Sequence, residues 1–244
     1  MADAQKIQWR RIGVESAAIV ASILLAFAID AWWDERQERL AETEIILGLE
    51  QEFLDGKVLL EQKMNEYEKM LLGVQELLVA WNDKVWSSEE MSIDIAFQTL
   101  IAPTTIDFGS GVLDAVVNAG RLEIISNRTL RADLAGWKAV LGEVIDDELR
   151  NKDHIFNQIT PYLARTGVSV GHGSTEMYGE GAWPVATASI ANDSALMSHL
   201  LSDTEFRSLL EIRYGFLWHT VEEYEVAIRA ANDILQEISS HTGT

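Results

Sequence analysis

The sequence predicts an all-α protein in which one N-terminal transmembrane helix continues into an antiparallel helical bundle. Three observations predict it. Only 3 prolines occur in 244 residues and none precedes Pro103, so nothing compels a helix to break over the first hundred positions. Apolar residues recur at alternating intervals of three and four through long stretches, and no strand-like alternation competes with them. Residues 16–29 (SAAIVASILLAFAI) carry no charge, and their apolar character extends to Ile12 on one side and Trp33 on the other.

The first element is the span, expected over residues 12–33. Trp9 and the pair Trp32/Trp33 bracket it as membrane-interface anchors. The 23 helical steps from Trp9 to Trp32 cover roughly 34 Å, about a hydrocarbon core with its interfaces. Lys6, Arg10 and Arg11 precede the span, whereas Arg36 and Arg39 are the only basic residues after it until Lys57. This bias assigns residues 1–11 to a short cytoplasmic N-terminus and residues 34–244 to an extracytoplasmic region. A cleaved signal peptide competes with this reading, because Ala26-Phe27-Ala28 forms an A-x-A site after a basic and then an apolar stretch. Cleavage there leaves a product that starts at Ile29.

Two carboxylates interrupt the apolar surface. At 100° per residue Glu15, Ile19, Ser22, Ala26, Asp30 and Trp33 fall within a sector of about 80°. Ala18, Ser22, Ala26 and Asp30 also recur at intervals of four, and such small-residue rows let helices approach closely in a membrane. The face Glu15, Ala18, Ser22, Ala26, Asp30 is therefore the candidate contact with another transmembrane helix. In the alternative, both acids sit near opposite interfaces and reach only the headgroups.

Next comes a heptad. Ile46, Leu49, Phe53, Gly56, Leu60, Met64, Tyr67, Leu71, Val74, Leu78 and Trp81 average about 3.5 residues per step, with one stutter between Gly56 and Met64. The first helix can thus run from the membrane to about Asn82. Ser87 or Ser88, followed by Glu89-Glu90, is the expected N-cap of a shorter helix ending near Leu100. Ser110 is expected to cap a helix over residues 112–119, with Gly120 as its C′ residue. Asn127 or Ser126 opens a long helix marked by Leu130, Leu134, Trp137, Leu141 and Val144, which Pro161 should end or kink. Residues 166–192 form the one long loop. Phe206, Leu210, Tyr214, Leu217, Val221, Tyr224, Ile228, Ala231, Leu235 and Ile238 mark a last helix over about 204–240. These stripes are buried by packing the helices against one another as a bundle.

Charge bounds the partners. The chain carries 19 Lys plus Arg against 39 Asp plus Glu, a formal net charge of −20, which excludes nucleic-acid binding through phosphates. Residues 1–33 are neutral in sum, so the whole excess lies beyond the span. Anionic lipid surfaces repel such a domain, which leaves protein partners or cations. With no cysteine there is no disulfide, thiolate metal site or catalytic thiol.

At two places the sequence resembles an uncharacterised family of small bacterial membrane proteins with one N-terminal span and a helical extracytoplasmic region. The first comprises Gly13-Val14-Glu15, the apolar run, and Ile29-Asp30-Ala31-Trp32-Trp33-Asp34-Glu35-Arg36, similar to the family's span ending in I-x-x-W with a polar E-R stretch. The second runs from Leu113 through Gly120, Leu122, Ile125 and Asn127 to Leu130 and Arg131. It is similar to the family's L-x-x-S-G-x-L-x-x-I-x-N-x-x-L-R segment, with Ala119 in place of Ser. Val14 between Gly13 and Glu15 departs by one residue from the family's G-E pair. The resemblance implies a bacterial inner-membrane location and this topology, and it implies no activity.

No constellation of catalytic residues emerges. None of the five histidines has Glu three residues before it, as di-iron bundles require. His219 and Glu223 share a helix face and are expected as a bundle-edge salt link. Asp146-Asp147-Glu148 reads as a solvated charge run, and Trp137 and Trp218 as core anchors. The loop around residues 171–183 joins glycines to His172, Glu176 and Glu180, weak ligand-loop candidates without a phosphate-binding or hydrolase spacing. No catalytic, cofactor or metal residue is assigned. The expected function is a non-enzymatic accessory or oligomeric subunit, with itself or another membrane protein as partner. A ligand-sensing bundle and an ion-conducting oligomer lined by Glu15, Ser22 and Asp30 are the alternatives.

Overall fold

The computed structural model describes residues 9–168 and 193–242, with side chains described for 18–168 and 193–241. Helix α1, Trp9–Asp83, is a single uninterrupted rod of 75 residues, about 110 Å long at 1.5 Å per residue. It runs without a break from the expected span into the bundle. Core contact begins at Ile45 and Ile46 and continues through Leu49, Phe53, Leu60, Tyr67 and Val74. Beyond Tyr67 the buried positions become Met70 and Leu77, while Leu71, Leu78 and Trp81 are only half-buried. An α-helix has 3.6 residues per turn, so a 3.5-residue stripe drifts around it, and the contact surface moves to the neighbouring row.

Gly56 stands where the stutter begins. The Phe108 ring lies so close that a Cβ there would sit 2.1 Å from its Cε2 atom. Phe108, Phe53 and Trp137 form an aromatic trio with centroids 5.0 to 6.1 Å apart.

After α1 the chain turns back along it. Helix α2, Ile93–Ile101, is capped by Ser92, whose Oγ accepts from Ile95 N–H at 3.3 Å. The cap thus falls four residues beyond Ser88. Helix α3 is Gly111–Asn118, and Ser110 occupies its N-cap without capping, because its hydroxyl donates to Asp114. Glu52 of α1 accepts from the Val112 and Leu113 N–H groups instead, at 2.6 and 3.2 Å. A carboxylate at a helix N-terminus satisfies orphan donors and complements the dipole. Gly120 takes φ 65° just past α3, as its C′ position requires. A 3₁₀ turn, Leu122–Ile124, leads to α4, Arg128–His154, whose cap Asn127 accepts from Thr129 and Leu130 N–H.

The chain stays helical through Pro161, so the proline does not end it. A π turn, Ile155–Ile159, widens the backbone before α5, Thr160–Thr166. The Thr160 N–H reaches back to Ile155 C=O, five residues away, which makes room for a ring that clashes with the preceding turn of a regular helix. Gly167, at φ 79°, closes α5. Helix α6, Ser194–Leu200, and α7, Thr204–Thr242, complete the described chain.

The bundle is antiparallel. Trp81 at the end of α1 donates to Asp203 C=O at the start of α7, whereas Glu42 and His241 pair at the other end, 3.2 Å apart. Asn127 at the start of α4 likewise donates to Glu237 near the end of α7. No strand occurs among the described residues, and among them no helix is long and apolar enough to cross a membrane. Residues 12–17, the first part of the expected span, lie outside the described side chains.

Candidate functional site

Two features stand apart from ordinary bundle packing. The first is the N-terminal arm of α1. Every residue from Ala18 to Leu40 is exposed, including Ile19, Val20, Ile23, Leu24, Leu25, Phe27, Ile29, Trp32 and Trp33. The nine large apolar side chains face all directions around the helix instead of forming one stripe. At about 1.5–3 kcal/mol each, leaving them in water forgoes on the order of 20 kcal/mol of burial.

Within the arm, Ala18, Ser22, Ala26 and Asp30 form one row. The Ser22 hydroxyl donates to Ala18 C=O at 2.8 Å, so it is satisfied by its own helix. The Trp32 and Trp33 rings lie 6.4 Å apart, centroid to centroid. Trp9 and Glu15 belong to the helix, but their side chains are outside the described set. His172, Glu176 and Glu180 lie outside the described residues.

The second feature is a buried polar layer across the bundle. On α4 the 3-4 alternation Leu134, Trp137, Leu141, Val144 continues through Glu148 and Asn151 to Ile155, all buried. On α7 it runs Leu210, Arg213, Leu217, Thr220, Tyr224, Ala227 and Ala231, also buried. The polar residues occupy core positions of an unbroken pattern.

Arg213 is 1% exposed. Its guanidinium donates to Asn151 Oδ1 and, at 3.3 Å, to Ala102 C=O, with Met70 Sδ at 3.9 Å. Its Nε has no hydrogen-bond partner among the described residues. Burial lowers its pKa to about 10, which leaves it charged at neutral pH. Asn151 passes the chain on, donating to Thr220 Oγ1 at 2.7 Å. Glu148 accepts from Ile106 N–H at 2.9 Å and from the Tyr224 hydroxyl at 2.6 Å. Burial raises its pKa, partly offset by those two donors. Tyr67 packs against Tyr224 with centroids 5.5 Å apart and donates to Thr104 C=O. His154 Nε2 lies 3.1 Å from Leu209 C=O, and burial lowers the imidazole pKa.

At the rim, Asp147 is buried yet held between two basic side chains of different helices. Its Oδ2 meets His219 Nδ1 of α7. Its Oδ1 lies 2.5 Å from Arg150 Nη1, an ionic contact, and has no aligned donor among the described residues. The bond to Asp147 raises the His219 pKa.

Of the expected solvated run only Asp146 is exposed: Glu148 lies on the inward row of α4, and Asp147, one residue off that row, is buried at its rim. His219 pairs with Asp147 across the helices, not with Glu223. Trp137 is buried as expected, whereas Trp218 is half-exposed, one residue off the inward row that Leu217 occupies. Tyr214 and Val221 are partly exposed beside Arg213 and Thr220, which hold the core positions.

The polar layer is packed, and the surface groove of about 420 Å³ beside it, lined by Leu149, His154, Ile212 and Phe216, does not reach Glu148 or Arg213. Among the described residues no group of three His, Asp or Glu could hold a metal ion. Comparison with protein-family models, curated proteins and solved structures finds no match.

Proposed function

We propose that this chain is a single-pass inner-membrane protein acting non-enzymatically as an accessory or oligomeric subunit of a membrane complex. The arm inserts as the membrane span, and the acidic bundle stands outside the cytoplasm. The observation that carries this reading is the exposure of every residue from Ala18 to Leu40, with large apolar side chains on all sides as far as Trp33, interrupted only by Ser22 and Asp30. A helix apolar all round belongs in lipid or in a protein interior. The Trp pair at its end fits the water interface, and Ser22, bonded within its own helix, is suited to lipid. The continuity of α1 couples whatever the span contacts rigidly to the bundle.

Alkaline carbonate extraction of bacterial membranes tests the anchor. The full chain should remain in the pellet, and a chain lacking residues 1–33 should be released. A soluble mature product starting at Ile29 would overturn the reading.

A further inference from the structure

Within the bundle, α1 carries a second apolar line that its core does not use. Leu40, Leu47 and Leu54 are spaced by seven, Val58 follows four residues later, and all four are about half exposed or more: 55%, 56%, 45% and 52%. At 100° per residue they fall within about 40° of one another, and roughly 135° around the helix from the mean direction of Ile46, Leu49, Phe53 and Leu60. Traced toward the N-terminus, the same line passes Trp33, Ala26 and Ser22 of the arm. A seven-residue apolar repeat on an exposed helix face is the pattern of a helix-packing seam.

The surroundings of the line are acidic. Glu44 is exposed between Leu40 and Leu47. Beside Leu47 and Leu54 a groove of about 440 Å³ opens between α1 and the start of α3, lined by Gly48, Gln51, Glu52, Asp55, Leu59 and Val112 among others. Its charged lining residues are Glu52 and Asp55, with no basic side chain. Glu52 is engaged by the α3 N–H groups, and Asp55 accepts only a neutral amide, from Gln51 at 2.9 Å, among its described hydrogen bonds. Arg36 flanks the line one turn before Leu40.

We propose that this face binds a basic amphipathic helix of another membrane protein, lying alongside α1 where it leaves the bilayer. The partner's apolar seam covers Leu40, Leu47, Leu54 and Val58, and its Lys or Arg residues meet Glu44 and Asp55. The position beside the membrane rests on the proposed span; the surface chemistry does not. A second copy fits poorly. Two copies anchored in one membrane run parallel, which sets Glu44 against Glu44, a repulsive pairing in a helix seam.

The test uses the full chain in mild detergent and two synthetic 28-residue helices. Both have Leu at the seam positions; one has Lys and the other Glu at the flanks. Fluorescence anisotropy at about 50 mM salt should show the Lys helix binding at least tenfold more tightly. The double variant Leu47→Glu/Leu54→Glu should weaken it at least tenfold with unchanged melting, although it adds negative charge that would tighten a merely ionic attachment. Glu44→Gln/Asp55→Asn should narrow the preference between the helices. Equal binding of the two, no binding of the Lys helix, or tighter binding by the double variant would overturn the proposal. So would efficient disulfide dimerisation of Leu54→Cys in membranes, which would place a second copy on the face. Carbonate extraction reports separately on the span, so the two readings can fail independently.

Discussion

The buried guanidinium of Arg213 donates to the side-chain amide oxygen of Asn151, not to a carboxylate. A charge inside the core is thus held by neutral acceptors. The two partners should respond differently to removal. Asn151→Leu strips the cation of an acceptor and should cost about 3 kcal/mol, whereas Arg213→Met removes the charge itself, leaves only the neutral Asn151 and Ala102 oxygens without a donor, and should cost less, about 1–2 kcal/mol. Chemical denaturation of both variants in the same detergent measures the contrast. Equal losses would mean that Arg213 is held by more than this bond.

Gly56 and Phe108 share one volume. Adding a methyl group at 56 places a carbon 2.1 Å from the Phe108 ring, a contact that only movement of the ring can relieve. Gly56→Ala should destabilise by about 1–3 kcal/mol despite the better helix propensity of Ala. Gly56→Ala combined with Phe108→Leu should recover part of the loss, which a double-mutant cycle on melting would show as coupling.

His219 and His154 should give opposite pH signatures. The folded-state pKa of His219 is raised by Asp147, so its stabilisation is full below the ordinary value of about 6.5 and is lost as pH rises through the folded value. The deficit of His219→Gln relative to the parent should accordingly be greatest near pH 6 and shrink toward about pH 9. The folded-state pKa of His154 is lowered by burial, so its cost is absent above about 6.5 and grows as pH falls below it. Acidification from about pH 7.5 to 5.5 should destabilise the parent more than His154→Gln. Urea midpoints across this range test both signs.

Asn127 supplies the α4 cap through two backbone N–H groups and ties to Glu237 of α7. Asn127→Ala should cost about 1–2 kcal/mol, and Asn127→Asp, which keeps the cap but places a charge beside Glu237, should cost less. The ordering of the two melting temperatures checks the assignment of the loss to capping.

Where apolar spacing and capping chemistry agree, the fold was legible before the coordinates. Asn127, Gly120 and the outline of α7 all fall where local rules put them. The polar layer escaped because a search for apolar residues steps over Arg213 and Thr220 to their neighbours Tyr214 and Val221. Admitting polar residues to the 3-4 alternation through Leu210, Leu217 and Tyr224 would have found both. The Ser88 cap was displaced to Ser92 because serines and acids cluster there, and local chemistry does not choose among them. Pro161 was accommodated by a π turn, a solution that tertiary packing sets and sequence rules do not foresee. The apolar residues of the arm, conspicuous in the sequence, stay exposed in the described chain.

In the proposed topology the arm of α1 crosses the membrane and holds the bundle outside the cytoplasm. Because the chain has no cysteine, single cysteines at Ala4 and at exposed Asn82 can be labelled with a membrane-impermeant maleimide. Cells with a permeabilised outer membrane should label Asn82→Cys, while Ala4→Cys should label only after the inner membrane is broken. Labelling of both in intact spheroplasts, or of neither, would contradict the account.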